Sequence, residues 1–249
     1  MLRVGVKLPA TIGRPGEYLA DVTALEAGGA DTIWLHDTAV QPGAGSHVEP
    51  QLQPWVLAAA MAAVTRRVRL GIAFPSVAAW PPALFAATVI AFDQLSGNRL
   101  VLGFGLEESG GRLEEFLQVL KLLCSGSGER FDGRFYQLPS VRLARGARPE
   151  GPPILIASPH GPARDGLRSI ANGIIQPGSP PEGLRADPGG GEVWVEIPIP
   201  PDREAWGKTL AAYETAGATG VIVSWEPRIV DLLRNTEPDD RTDLLVSTG

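Results

Sequence analysis

The same helix-then-strand alternation occurs twice in succession between residues 53 and 107, and this repeat restricts the fold more than any other feature of the sequence. The first unit, residues 55–73, is an Ala- and Leu-rich helical segment, a pair of arginines and a short β-branched strand. The second unit begins at Pro82, a residue that suits a helix start, and its strand ends at Phe104. Two consecutive units of this kind predict a parallel sheet with crossover helices.

The rest of the chain continues this alternation. The predicted strands are 3–8, 32–37, 68–73, 99–104, 154–157, 173–176, 193–199 and 220–225. The predicted helices are 17–27, 55–64, 82–95, 111–123, 162–171, 204–216 and 228–234. Eight strands with helices between most of them is the count of a (β/α)8 TIM barrel. An open doubly wound sheet is the alternative, but no Gly-x-Gly-x-x-Gly follows the first strand.

Three local features complete the predicted architecture. Residues 177–191 are too rich in proline and glycine to form a helix, so the barrel is expected to be trimmed between strands six and seven. Arg66 and Arg67 suit the negative end of the helix before them. A tight hairpin is expected over residues 131–136, with Asp-Gly as its turn. The chain is interpreted as one domain, 1–249, with a loose polar tail from residue 235.

Charge and cysteine content exclude several classes of function. A net charge of -6 argues against nucleic acid as a partner, because phosphate binding needs a surplus of Lys and Arg. The only cysteine, Cys124, cannot form an intramolecular disulfide, and the three histidines lack the spacing of metal ligands. The first ten residues contain no apolar signal segment, and prolines interrupt the uncharged stretch 70–92. A cytoplasmic protein without a membrane partner or a metal is therefore expected.

Several local strings occur together in one known family. They include LEAGGADTIWLHD (25–37), FDQLSGNRLVLGFG (92–105) and ERFDGRFYQL (129–138). In these strings and their order the chain resembles the bacterial luciferase-like superfamily of flavin- and deazaflavin-dependent oxidoreductases. The resemblance implies a barrel that binds FMN or coenzyme F420 at its C-terminal mouth, a small-molecule substrate and a homodimer.

The chain departs from the family pattern at the end of the second strand. The family commonly has Asp-His there, whereas this chain has Asp37 and Thr38, and its nearest histidine is His36. A shift of two residues keeps a side chain on the same face of a strand but roughly 6 to 7 Å deeper. The expected function is hydride transfer with F420 or FMN, or monooxygenation with reduced FMN. The alternative is a non-catalytic flavin- or ligand-binding barrel that has lost the catalytic histidine.

Four residues are candidates for catalysis. His36, Asp37 and Thr38 end the second strand, where catalytic groups of barrel enzymes cluster, and a histidine there can move a proton near neutral pH. Glu107 follows the fourth strand and is a candidate for contact with the substrate. The simpler interpretations are a core histidine at position 36, a loop-capping role for Asp37 and a solvated carboxylate at Glu107.

Two other stretches are candidates for cofactor binding. Ile72, Ala73 and Phe74 end the third strand and are apolar enough to support a flavin ring, where family members often have an irregular peptide; core packing is the simpler role of Ile72. The loop after the fifth strand opens a helix, so its backbone N–H groups suit a phosphate. The candidates in that loop are Ser158, His160, Gly161 and Ala163. Without the resemblance this loop is an ordinary turn.

Overall fold

A computed structural model describes residues 2–9, 14–37, 52–106, 111–144, 146–157, 165–187 and 189–234. Its strands are β1 (Arg3–Lys7), β2 (Thr32–His36), β3 (Arg69–Phe74), β4 (Leu100–Gly105), β5 (Phe131–Asp132), β6 (Gln137–Leu138), β7 (Ile154–Ala157), β8 (Gly173–Pro177), β9 (Glu192–Glu196) and β10 (Gly220–Ser224). Its α-helices are α1 (Pro15–Gly28), α2 (Pro54–Val64), α3 (Pro82–Leu95), α4 (Arg112–Ser125), α5 (Asp165–Arg168), α6 (Arg203–Thr215) and α7 (Ile229–Arg234). No helix of the described ranges is both long and apolar enough to cross a membrane.

Eight parallel strands close into a barrel, which confirms the predicted fold. The order around the barrel is β1-β2-β3-β4-β7-β8-β9-β10, and β10 pairs with β1 to complete the circle. The connection between β8 and β9 contains one 3-10 turn, Pro181–Gly183, and no α-helix among its described residues. The trimmed connection was therefore predicted correctly. The tail from residue 235 lies outside the described residues.

Two tryptophans fill the inside of the barrel. The inner core consists of Trp34, Val101, Leu155, Ile175, Trp194 and Ile222. The rings need glycines on the neighbouring strands: a Cβ added at Gly71 would lie 2.4 Å from the ring of Trp34, and one added at Gly220 would lie 2.5 Å from the ring of Trp194. The alternate residues of each strand face the helices and form a separate, larger outer core.

The amino-terminal end of the barrel is closed by charged side chains around Trp194. Glu192 pairs with Arg3 at 2.9 Å and with Arg69 at 3.6 Å, and it accepts a hydrogen bond from the indole N–H of Trp194 at 2.7 Å. The guanidinium carbons of the two arginines lie 5.2 and 5.4 Å from the centroid of the same ring. Cations at this distance from an indole face are attracted to it. The amino-terminal end of the barrel is thus filled by side chains.

The carbonyl end of α2 is capped by Arg99, not by the arginines that follow the helix. Arg99 donates to the oxygens of Ala62 at 3.0 Å and Thr65 at 3.3 Å, and to the hydroxyl of Thr65 at 2.8 Å. Arg66 and Arg67, whose charges were expected to suit this end of the helix, do follow it directly. Their backbone N–H groups instead donate to the carboxylate of Glu26 on α1.

The predicted hairpin exists, but its turn is longer than expected. Phe131 and Asp132 pair with Leu138 and Gln137, so four residues, 133–136, connect the strands. The carboxylate of Glu115 on α4 accepts three consecutive backbone N–H bonds from this turn, at 2.7 to 3.1 Å. A side chain from another element therefore shapes the turn, which is why Asp-Gly alone does not predict it.

Candidate active site

An ion pair crosses the carboxyl-terminal mouth of the barrel. The sequences of β1 and β9, RVGVK and EVWVE, place valines toward the helices and charged residues inward at both ends of each strand. At the mouth, Nζ of Lys7 lies 3.5 Å from Oε2 of Glu196, and both side chains are 30% exposed. Sequence reasoning missed both residues. Their signal was the period-2 alternation, which puts a charge on the inner face of an otherwise buried strand.

His36 ends β2 beside this ion pair. It pairs in register with Ala73 of β3, lies two residues beyond the buried Trp34 and is partly exposed. Burial and then the positive charge of Lys7 lower the pKa of the imidazole, while Glu196 opposes them. His36 is therefore neutral at pH 7, a state in which one ring nitrogen accepts a proton and the other donates a hydrogen bond.

This lowered pKa predicts a loss of stability in mild acid. In the native state His36 takes up its proton at a lower pH than in the unfolded chain, where the pKa is about 6.5. Below that pH the unfolded state binds more protons, so the free energy of unfolding falls by up to about 1.4 kcal/mol per pH unit until the native pKa is reached. Urea unfolding of the wild type and of His36→Gln at neutral and mildly acidic pH measures this contribution. The two proteins should differ in pH dependence; parallel curves would contradict the prediction.

Asp37 orders a loop at the mouth. Its Oδ2 accepts a hydrogen bond from the indole N–H of Trp80 at 2.8 Å, and its own backbone N–H donates to the oxygen of Ala73 at 2.8 Å. Trp80 lies in the connection between β3 and α3 and packs edge-on against Phe74. Asp37 therefore holds the connection after β3, whereas the loop that it was expected to cap, from residue 38 onward, lies outside the described residues.

The three residues predicted to support a flavin ring point in two directions. Ile72 and Phe74 face the helices and are buried in the outer core, where Phe74 packs edge-on against Phe85 at 5.0 Å and stacks with Phe104 at 5.6 Å between centroids. Ala73 faces the inside of the barrel and packs against the inner core. Ile72 and Phe74 therefore do not face the mouth, which corrects that part of the prediction, and the role of Ala73 stays a prediction. Residues 69–74 form a regular strand, and the described residues contain no cis peptide bond.

Small residues lie at or next to the ends of three consecutive strands on one side of the mouth. Ala73 of β3, Gly105 of β4 and Ala157 of β7 are inward-facing and partly exposed, and Gly105 pairs in register with Ala157. We call these three residues the small-residue sector. A Cβ at Gly105 would lie 3.1 Å from the backbone oxygen of Pro75, so this position has little room even for alanine. The mouth thus has a small-residue sector next to a polar sector, Lys7, His36 and Glu196.

The remaining candidates lie outside the described residues. The strands before them do end at the mouth: β2 ends just before Thr38, β4 before Glu107, and β7 before the predicted phosphate loop. The undescribed candidates are Thr38, Glu107, Ser158, His160, Gly161 and Ala163. Their roles stay predictions. Of the predicted site, the structure brings together His36, Asp37 and Ala73, and it adds Lys7 and Glu196.

Comparison with known proteins points to one family. The model of the luciferase-like monooxygenase family matches residues 2–186. A curated relative, the F420-dependent glucose-6-phosphate dehydrogenase of Amycolatopsis mediterranei, is 27% identical over 180 residues, and the match covers 64% of this chain and 52% of the relative. The chain spans about half the length of the curated relatives it matches.

Two solved structures are similar in fold. One is an F420-dependent secondary alcohol dehydrogenase, solved in complex with an F420-acetone adduct. It superposes with a TM-score of 0.74 at 14% identity, and the match covers 94% of this chain and 96% of the dehydrogenase chain. The other is the oxygenating constituent of 3,6-diketocamphane monooxygenase from Pseudomonas putida, solved in complex with FMN. It has a TM-score of 0.56 at 15% identity, and the match covers 89% of this chain and 66% of the monooxygenase chain. At these identities the similarity shows a shared fold.

Proposed function

The chain belongs to the luciferase-like monooxygenase family, and from this premise we propose that it is an oxidoreductase that uses coenzyme F420 or FMN to transfer a hydride to or from a small organic substrate. The observation that carries the proposal is the two-sided mouth of the barrel. A flat ring system needs a surface without bulky side chains, and the reacting substrate needs polar groups beside that ring.

The small-residue sector fits such a ring. Ala73, Gly105 and Ala157 project little or no side chain into the mouth, and the buried Trp34 lies beneath them in the inner core. The loop predicted to hold the phosphate, with Ser158, His160, Gly161 and Ala163, begins directly after Ala157. We propose that this loop and the small-residue sector together hold the cofactor.

The polar sector is suited to handling the proton that accompanies hydride transfer. When bound, the cofactor supplies the hydride chemistry, and the protein supplies position and proton transfer. His36 is neutral at pH 7 and can accept the proton of a substrate hydroxyl or donate a hydrogen bond to a carbonyl oxygen. Lys7 and Glu196 balance each other in charge, which favours an uncharged group at this point. Asp37 holds the neighbouring loop through Trp80.

F420 is the preferred cofactor. The solved F420-dependent alcohol dehydrogenase matches this chain over nearly the full length of both chains, whereas a third of the FMN-binding monooxygenase has no counterpart here. A curated relative is also F420-dependent. The Ala-, Gly-, Pro- and Arg-rich composition, typical of actinobacterial proteins in which F420 is common, agrees with this choice.

Titration with F420 and with FMN, followed by quenching of tryptophan fluorescence, tests the proposal. Saturable binding of one of the two in the micromolar range is expected. Ala73→Leu should weaken that binding roughly a hundredfold, because three added carbons occupy the space needed by the ring. The matched control is Ala211→Leu, an equally conservative change at an exposed position on α6.

Two results would count against the proposed site. In the first, the wild type binds neither cofactor at concentrations up to about 1 mM, which corresponds to a binding free energy of about -4 kcal/mol. That result would contradict the proposed oxidoreductase function. If Ala73→Leu leaves cofactor binding unchanged, the ring must bind at another part of the mouth.

A further inference from the structure

Strands β1 and β9 place a basic residue and a glutamate inward at both ends of the barrel. β1 begins and ends with a basic residue, and β9 begins and ends with a glutamate. At the amino-terminal end, Glu192 pairs with both Arg3 and Arg69. At the mouth, the corresponding residues are Lys7 and Glu196, which pair only with each other among the described residues. The same two strands therefore carry a closed charge cluster at one end and an open pair at the other.

The pair at the mouth leaves most of its hydrogen-bonding capacity unused. Nζ of Lys7 lies 3.5 Å from Oε2 of Glu196, whereas a hydrogen bond between an ammonium and a carboxylate is normally about 2.7 to 2.9 Å long. An ammonium has three donors, and a carboxylate has acceptor sites on both oxygens. Both side chains are partly exposed at the mouth. They are therefore able to bind a polar group of a ligand.

Ser224 adds a hydroxyl to this pair. It ends β10, the strand that lies between β1 and β9, and it is exposed. It pairs in register with Lys7 and lies two residues beyond Ile222, which faces the inside of the barrel. Lys7 and Glu196 stand on strands roughly 9 to 10 Å apart and meet across β10. We call Lys7, Glu196 and Ser224 the Lys7 cluster.

His36 faces the same space as the Lys7 cluster. It ends β2, the strand on the other side of β1, and lies two residues beyond Trp34, which pairs in register with Lys7. After burial, the charges of Lys7 and Glu196 are the influences on the pKa of the imidazole. Neighbouring strands lie only about 4.8 Å apart. A small ligand can therefore contact His36 and the Lys7 cluster at once.

The charges of the Lys7 cluster select the chemistry of the group that it binds. A phosphate or carboxylate would meet the like charge of Glu196, and an ammonium would meet that of Lys7. A carbonyl oxygen can only accept, so it would leave Glu196 unpaired. A hydroxyl accepts a hydrogen bond from Lys7 and donates one to Glu196 at the same time, and Ser224 can take either role. A hydroxyl group therefore fits this cluster best.

We propose that the substrate of this chain is a vicinal diol, in which His36 holds the hydroxyl that is oxidised and the Lys7 cluster holds the hydroxyl on the adjacent carbon. The inference rests on the oxidoreductase function proposed above. The carbon beside His36 loses a hydride to oxidised F420 or FMN, and its hydroxyl loses a proton to His36. The second hydroxyl is unchanged, so the product is an α-hydroxyketone. In the opposite direction an α-hydroxyketone is reduced to the diol.

Pairs of a vicinal diol and the alcohol that lacks one hydroxyl test the proposal. Suitable pairs are cyclohexanediol with cyclohexanol and butane-2,3-diol with butan-2-ol. Their binding to the full chain loaded with reduced cofactor, which cannot accept a hydride, is measured by calorimetry or saturation-transfer NMR. The diols should bind about 10- to 100-fold more tightly, as expected for hydrogen bonds to charged groups. With oxidised cofactor, kcat/KM should show the same preference.

Variants of the Lys7 cluster should lose this preference. Lys7→Met combined with Glu196→Met removes both charges without leaving one of them unpaired, and it should reduce the preference to about threefold or less. Ser224→Ala should reduce the preference by a smaller factor, because the ion pair remains. The matched control is Lys208→Met combined with Glu204→Met, the same changes in an exposed ion pair on α6. The control should keep the full preference, and circular dichroism checks the fold of each variant.

The outcomes separate this inference from the proposed function. A wild type that binds a cofactor but binds diols no better than alcohols would overturn the inference and leave the oxidoreductase function in place. A preference that survives the double change of Lys7 and Glu196 would also overturn it, as would an equal loss in the control. A chain that binds neither cofactor would overturn the proposed function, and this inference with it.

Discussion

Replacing Gly71 with alanine is expected to destabilise the protein by about 3 kcal/mol, because the added methyl group would lie 2.4 Å from two ring carbons of Trp34. The ring has little freedom to move away. It is 2% exposed, and a Cβ at Gly103 on the next strand would also lie only 3.1 Å from it. The barrel interior is therefore expected to tolerate no side chain at position 71.

Denaturant unfolding measures this effect against a matched control. Gly207 lies inside α6, and a Cβ there would meet no atom within 4 Å. Gly207→Ala should stabilise the protein by about 0.5 to 1 kcal/mol, since alanine favours the helix more than glycine does. Adding Trp34→Phe to Gly71→Ala should recover part of the loss. Gly71→Ala with wild-type stability would show that Trp34 does not fill the barrel as described.

Replacing His36 with alanine is expected to reduce turnover by a factor of about 10² to 10⁴, the usual contribution of a positioned acid or base. Cofactor affinity should change by only a few-fold, because the small-residue sector and the proposed phosphate loop remain. The measurement is steady-state turnover with the cofactor that binds, on substrates found by screening small alcohols and ketones.

Added imidazole distinguishes proton transfer from a structural role. If His36 moves a proton, free imidazole should restore part of the activity of His36→Ala. A variant that retains full activity would exclude His36 from the reaction and leave that role to residues such as Glu107. Wild-type protein that binds the cofactor but turns over no substrate would support the alternative of a non-catalytic binding barrel.

The strands and helices of the barrel could be predicted because each has a signal in its local sequence. The face of the strand on which each side chain lies was harder to predict. In β3, RLGIAF, apolar residues occupy both faces, as is usual for strands buried on two sides. Periodicity therefore could not show that Ala73 faces inward while Ile72 and Phe74 face the helices. In β1 and β9 the alternation of valines with other residues is visible in the sequence. It places Lys7 and Glu196 on the inner face at the strand ends, so both could have been identified from it.

Contacts between elements far apart in the sequence could not be predicted from neighbouring residues alone. Arg99 caps α2 across 34 to 37 residues of sequence, and Glu115 shapes a turn about 20 residues away. Neighbouring residues such as Arg66 and Asp132 carry the expected local chemistry, but the tertiary structure assigns the role to another side chain. Such long-range polar contacts depend on how the helices are arranged around the barrel.

The charged cluster that closes the barrel and the candidate active site lie at opposite ends of it. The charged cluster of Arg3, Arg69 and Glu192 closes the amino-terminal end, while the polar and small-residue sectors lie at the mouth, where the strands before the other candidates end. Substitutions at the mouth leave that cluster and the tryptophan-filled interior in place. A barrel divided in this way can acquire a new substrate through changes in its loops while it retains the contacts on which its folding depends.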